Sequence, residues 1–128
     1  MALLYIKRYS RDFIQAHPDW LFVFGDNLER RGLGGQAKEA RGEPNAVGIP
    51  TKRKPNNDDD AFLTDADYHE WAGIAGGDMS RIRRAHKLGR VVVWPLDGIG
   101  TGLAKLSQDS KIRRSIQQFQ ESLEVLYG

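Results

Sequence analysis

The 128-residue chain contains no cysteine. Disulfides, thiol nucleophiles and cysteine-held metal sites are therefore excluded. Its three histidines, His17, His69 and His86, are scattered without metal-ligand spacing, so no metal and no cofactor is expected. No apolar run approaches the roughly 20 residues of a membrane span. Met1-Ala2-Leu3-Leu4-Tyr5-Ile6 runs straight into Lys7-Arg8 and is too short for a secretory signal, so a cytoplasmic protein is expected. Charge of one sign is also lacking: 19 Lys and Arg face 17 Asp and Glu, a net +2. Such a balance permits an anionic ligand without pointing to nucleic acid. The length suits one domain over residues 1–128, and a hydrophobic content of 40% suits an ordinary globular core.

What the chain does have is glycine, 14 of them, concentrated beside apolar runs. Trp20 to Phe24 is short, aromatic and β-branched, as expected of a strand buried on both faces. It stops at Gly25-Asp26-Asn27. A polar loop then leads to Gly32-Leu33-Gly34-Gly35, and a helix is predicted from Gln36 to Arg41, closed by Gly42. A second run, Arg90 to Trp94, ends at Pro95 and feeds Gly98-Ile99-Gly100-Thr101-Gly102-Leu103. A glycine-rich bend after a strand can turn backbone N–H groups onto an anion, and Thr101 would add a hydroxyl donor. The other reading of either loop is a tight turn and nothing more. Neither matches a dinucleotide-binding fingerprint or a P-loop, which argues against phosphoryl transfer of the NTPase kind.

The rest alternates in type. Leu3 to Tyr9 reads as a strand and Phe13 to Ala16 as a helical turn. Asn45 to Pro50 reads as a strand that ends at its proline or lies at an edge. Thr51 to Asp60 is a charged, mobile loop, and its Asp58-Asp59-Asp60 run reads as solvated. Thr64 and Asp67 mark a helix start. That helix either kinks at Gly76-Gly77 or gives way to a second one capped by Asp78. The last helix, capped by Ser107 or Asp109, buries Ile112, Ile116, Phe119, Leu123 and Leu126. Strands alternating with helices predict a three-layer α/β/α sandwich with a mixed, mainly parallel sheet. Its ligand site is expected at the carboxyl ends of the strands, where both glycine loops lie.

Asn27, Gly34-Gly35-x-Ala37 and a strand ending at Pro95 ahead of GIGTGLAKL resemble the macrodomain family, over roughly residues 3 to 125. That family binds ADP-ribose in an α/β/α sandwich. The closest likeness is to its short branch, which removes ADP-ribose from glutamate side chains and related targets. The match rests on Asp12 after the first strand and on the Thr51-Lys52 pair. The resemblance implies that Asp12 accepts a hydrogen bond from the adenine amino group, that Asn27, Gly34 and Gly35 border the distal ribose, and that Gln36, standing where other macrodomain hydrolases have an Asp, lies among the ligand-binding residues. Ile99, Gly100, Thr101 and Gly102 would cradle the diphosphate, with apolar packing from Trp20, Phe22 or Leu103. Lys52 would be the nucleophile. The branch's catalytic Asp falls on Ala104, followed by Lys105, which leaves Asp26 and Asp97 as the candidate acids or bases. Plain structural roles stand beside these: Asp12 as a helix cap, Lys52 as a solvated cation, Asn27 as a turn residue.

The expected ligand is thus ADP-ribose or a related NAD-derived nucleotide, free or on an ADP-ribosylated macromolecule, with hydrolysis as a further capacity and no membrane partner. The alternative is a nucleic-acid-binding module using Arg81, Arg83, Arg84 and Lys87 on one helix face, with Lys52, Arg53 and Lys54 nearby. The acidic run beside the latter three weighs against it.

Overall fold

In the two longest apolar runs, neighbouring side chains are all buried, so both faces of each strand must be covered. A computed structural model describes residues 3–101 and 104–125 and shows how. The elements are β1 (Leu3–Ile6), α1 (Arg11–Ala16), β2 (Leu21–Asn27), α2 (Ala37–Ala40), β3 (Ala46–Lys52), α3 (Tyr68–Lys87), β4 (Val92–Pro95) and α4 (Lys111–Val125). The strands pair in parallel in the order β1-β4-β2-β3. An isolated antiparallel bridge joins Lys52 to Phe62.

Alternation along each strand divides the core. Leu21, Val23, Val47, Ile49, Val92 and Trp94 pack with residues of α3 and α4. Phe22, Phe24, Ala46 and Val93 pack on the other face with Tyr9, Ile14, Ala37 and Ala40. The fold is a three-layer α/β/α sandwich. Phe22 is wholly enclosed in this core and Trp20 stacks on His17, and neither lines the cleft at the carboxyl ends of the strands.

Helix α3 runs unbroken through Gly76 and Gly77. Its buried positions, Trp71, Ala75, Ile82 and Ala85, hold one face to the sheet, while both glycines lie on the exposed face. Asp78 therefore caps nothing; it accepts a hydrogen bond from Arg30 at 2.5 Å. At α4 the cap is Ser110, whose hydroxyl accepts from Arg113 N at 3.2 Å, rather than Ser107 or Asp109. Ile112, Ile116, Phe119 and Leu123 are buried as the spacing predicts, and Leu126 lies outside the described residues.

Pro50 sits inside β3, which is an edge strand. Phe22 N donates to Asn45 O at 2.9 Å, so the alternate residues Ala46, Gly48 and Pro50 turn their backbone groups outward. The missing proline N–H is therefore on the unpaired side and costs no ladder bond. Each outward carbonyl has a side-chain donor: Arg81 for Ala46 (3.3 Å), Arg30 for Gly48 (2.9 Å) and Trp71 for Pro50 (2.7 Å). This blunts an edge that would otherwise template another strand.

The two buried tryptophans differ in one respect. Trp71 donates its indole N–H to Pro50, whereas the Trp94 indole N–H is buried with no partner among the described residues. Each Trp→Phe change removes similar apolar bulk, but only Trp71→Phe also strands a carbonyl. We expect Trp71→Phe to cost about 1–3 kcal/mol more than Trp94→Phe, read by urea denaturation of both variants.

Candidate functional site

β2 and β4 are neighbours, yet they pair only at Leu21↔Val92 and Phe22↔Val93. Beyond that register they part. The Tyr9 hydroxyl lies where they separate, 2.8 Å from Val23 O and 3.3 Å from Val93 O, so one proton serves two carbonyls. Tyr9 is buried, and burial holds its hydroxyl neutral far above the usual tyrosine range. Its backbone N–H donates to Gln36 Oε1 at 3.0 Å, and Gln36 Nε2 donates to Lys7 O at 2.8 Å. Gln36 therefore clips the start of α2 to the end of β1, and its amide is engaged within the protein.

Over this divergence lies a cleft of about 350 Å³. The end of β2 and the loop after it supply Asn27, Gly32, Gly34 and Gly35, and the loop after β4 supplies Asp97, Gly98, Ile99, Gly100 and Thr101. Both glycine-rich loops thus border one space at the carboxyl ends of adjacent strands. Gly102 and Leu103 lie outside the described residues. Lys7, Arg31, Arg41 and Lys52 bring four cations against the two carboxylates Asp26 and Asp97.

The first loop is tied down by Asp26. Its buried carboxylate pairs with Arg41 and, at 3.4 Å, with Arg30, and it accepts from Asn27 N at 2.8 Å. Arg41 also donates to Gly32 O (2.7 Å) and Arg31 O (3.2 Å). Asn27 Nδ2 donates to Arg31 O at 2.7 Å. The carboxylate needs a glycine opposite: a Cβ on Gly48 would stand 2.6 Å from Asp26 Oδ2. Asp26 is accordingly a strut bound by two guanidiniums.

The second loop closes on itself. Gly98 N donates to Pro95 O at 2.9 Å, and the Thr101 hydroxyl donates to Asp97 O at 2.7 Å. Gly98 and Gly100 both have φ of +87°, and a Cβ on Gly100 would meet Leu106 Cδ1 at 2.8 Å. The Ile99 side chain is buried in the core. The Asp97 side chain is exposed.

Lys52 lines the cleft from β3. Its ammonium donates to Asn56 O at 2.5 Å and lies 4.9 Å from the centre of the Phe62 ring. Neighbouring cations are paired as well: Arg53 with Asp67 and Glu70, Lys54 with Asp60. On α3, Arg81 binds Pro44 O and Ala46 O, and Arg83 binds the Ser122 hydroxyl and faces the Phe119 ring. Asp12 stands exposed in the first turn of α1 and is not part of the cleft lining. The cap of that helix is Ser10, which accepts from Phe13 N at 3.1 Å.

The chain belongs to a family of unknown function, DUF7831, whose model matches residues 4–119. No curated protein and no solved structure matches it. Among the described residues, no group of three or more His, Asp or Glu could hold a metal ion, and no helix is long and apolar enough to cross a membrane.

Sequence reasoning missed Lys7, Tyr9, Arg41 and Pro55. Arg41 carried a usable signal, a cation at the end of the helix that the glycine loop opens. Tyr9 carried none, because its role depends on two strands 14 and 84 residues away.

Tyr9 makes a testable pH dependence. Its folded pKa is raised above the unfolded value, so its contribution is complete below about pH 10 and is lost as pH rises further. Tyr9→Phe should cost about 1–3 kcal/mol near neutrality, and the difference from the parent should shrink above pH 10. Denaturation midpoints between pH 7 and 11 measure this.

Proposed function

We propose that the cleft binds ADP-ribose or a related NAD-derived nucleotide, its pyrophosphate held by backbone N–H groups of the two glycine-rich loops. The observation that carries this reading is the meeting of both loops over one cleft lined by four cations. Open parallel sheets take ligands at the carboxyl ends of strands where successive connections leave to opposite faces. β2 and β4 meet that condition: α2, which follows β2, packs on one face of the sheet, and α4, which follows β4, packs on the other. The resemblance to macrodomains supports the same ligand class.

Binding is better supported than hydrolysis. A nucleophilic Lys52 would have to leave Asn56 O and give up its proton to a base. Ala104 stands where the resembling branch has its acid, and Asp26 is held by Arg30 and Arg41. The nucleic-acid reading has less support, since Arg81, Arg83, Arg53 and Lys54 are engaged within the protein.

Gly35 offers a clean test. It lines the cleft at φ +58°, and a Cβ there meets open space. Asn and Asp tolerate this backbone region and are nearly isosteric. Gly35→Asp should weaken ADP-ribose binding at least about tenfold relative to Gly35→Asn, measured by calorimetry, because the added carboxylate faces the pyrophosphate. Equal affinities in the two variants, or no binding by the parent, would refute the proposal. Release of ADP-ribose from a modified protein by the parent but not by Lys52→Ala would add hydrolysis to it.

A further inference from the structure

Six charged residues line the cleft, and the side chains of four are engaged within the protein. Arg31 pairs with Glu29 at 2.6 Å, Arg41 pairs with Asp26, and Lys52 donates to Asn56 O. Among the described residues, only the Lys7 ammonium and the Asp97 carboxylate line the cleft with no polar partner. They leave adjacent strand ends. Ile6 is register-matched with Pro95, and Leu96 N donates to Ile6 O at 3.0 Å. Lys7 therefore follows that pair by one residue and Asp97 by two. Opposite in sign and close in the fold, they still form no ion pair with each other. Pro95, an apolar residue at the end of β4, lines the cleft beside them.

A ligand group seated here must offer an acceptor to the ammonium and a donor to the carboxylate. A further phosphate offers acceptors alone and would face the charge of Asp97. An adenine edge offers both, an exocyclic amino donor beside a ring-nitrogen acceptor. Resting on the nucleotide reading above, we infer that Lys7 and Asp97 read the base of the bound nucleotide. Asp97 accepts from the amino group, Lys7 donates to the ring nitrogen, and Pro95 meets the base face. Base recognition thereby moves from Asp12, which is outside the cleft, to the ends of β1 and β4. Asp97 becomes a specificity residue rather than an acid or base.

The test compares ADP-ribose with its hypoxanthine counterpart, in which a carbonyl replaces the amino group. Calorimetry would be run on the parent, Lys7→Ala, Asp97→Ala and Asp12→Ala. Both cleft side chains are exposed, so thermal unfolding should be unchanged in these variants. The parent should prefer ADP-ribose by about tenfold or more, since the carbonyl sets an acceptor against the carboxylate. Lys7→Ala and Asp97→Ala should each lose about tenfold for ADP-ribose, and Asp97→Ala should also lose the preference. Asp12→Ala should behave as the parent. Binding of both nucleotides without preference, or a preference that Asp97→Ala keeps or Asp12→Ala removes, overturns the assignment and leaves the nucleotide reading standing. No binding of either nucleotide by the parent overturns both.

Discussion

The separation of β2 from β4 after a single stretch of pairing creates the cleft, and Tyr9 is what makes that separation tolerable. Two strands that part inside a core leave carbonyls without ladder partners, and each such group costs about 1–3 kcal/mol when buried. One phenol bridges Val23 O and Val93 O at the fork. The same residue fixes the end of β1 to Gln36, so the fork, the first loop and the β1 terminus are positioned together. An opening of this kind lies between loops because the strands end there, not because side chains were hollowed out around it.

A second set of contacts holds the rim. Arg41, Asp26, Arg30 and Asp78 form a chain of alternating charge from α2 through β2 to α3. Burial pushes the Asp78 carboxyl up from its ordinary value even though Arg30 pulls it down. Asp26 is the buried member on which both arginines converge, so removing it breaks two links at once and leaves Arg41 and Arg30 without their shared carboxylate. Arg30 also covers the outward carbonyl of Gly48, whose missing side chain makes room for Asp26. The glycine, the carboxylate and the arginine are therefore one device that ties the edge strand to the first loop.

The layered architecture was legible because it follows from short-range pattern. Two-sided burial of residues 21–24 and 92–95, and the stripe along α4, are visible in spacing alone. Boundaries were less so. Gly76-Gly77 reads as a break, but the apolar face of α3 outweighs the propensity cost of roughly 1 kcal/mol per glycine. Ser110 capped α4 in place of two equally plausible neighbours. The convergence of both glycine loops was foreseeable from their places after strands. The state of each charged side chain was not. Asp26 and Lys52 look like free reactive groups in a sequence, and only tertiary contacts show the carboxylate held by two arginines and the ammonium on Asn56 O. Asp12 stands apart from these, in the first turn of α1 and outside the cleft lining, a placement that spacing does not encode.

That pattern of engaged charges bears on what the cleft does. A site built to move protons needs groups whose protonation can change within reach of the substrate. Here the buried carboxylate is paired with two arginines and the buried lysine donates to a backbone carbonyl. What remains is the glycine backbone of two bends, plus one cation and one anion at the β1 and β4 ends. Backbone donors fixed by turn geometry do not reorganise when an anion arrives, so they favour holding it over transforming it. On the proposed reading, a nucleotide gripped by its pyrophosphate and read at its base leaves these contacts in place, whereas a catalytic Lys52 or Asp26 would have to leave Asn56 O or the paired arginines.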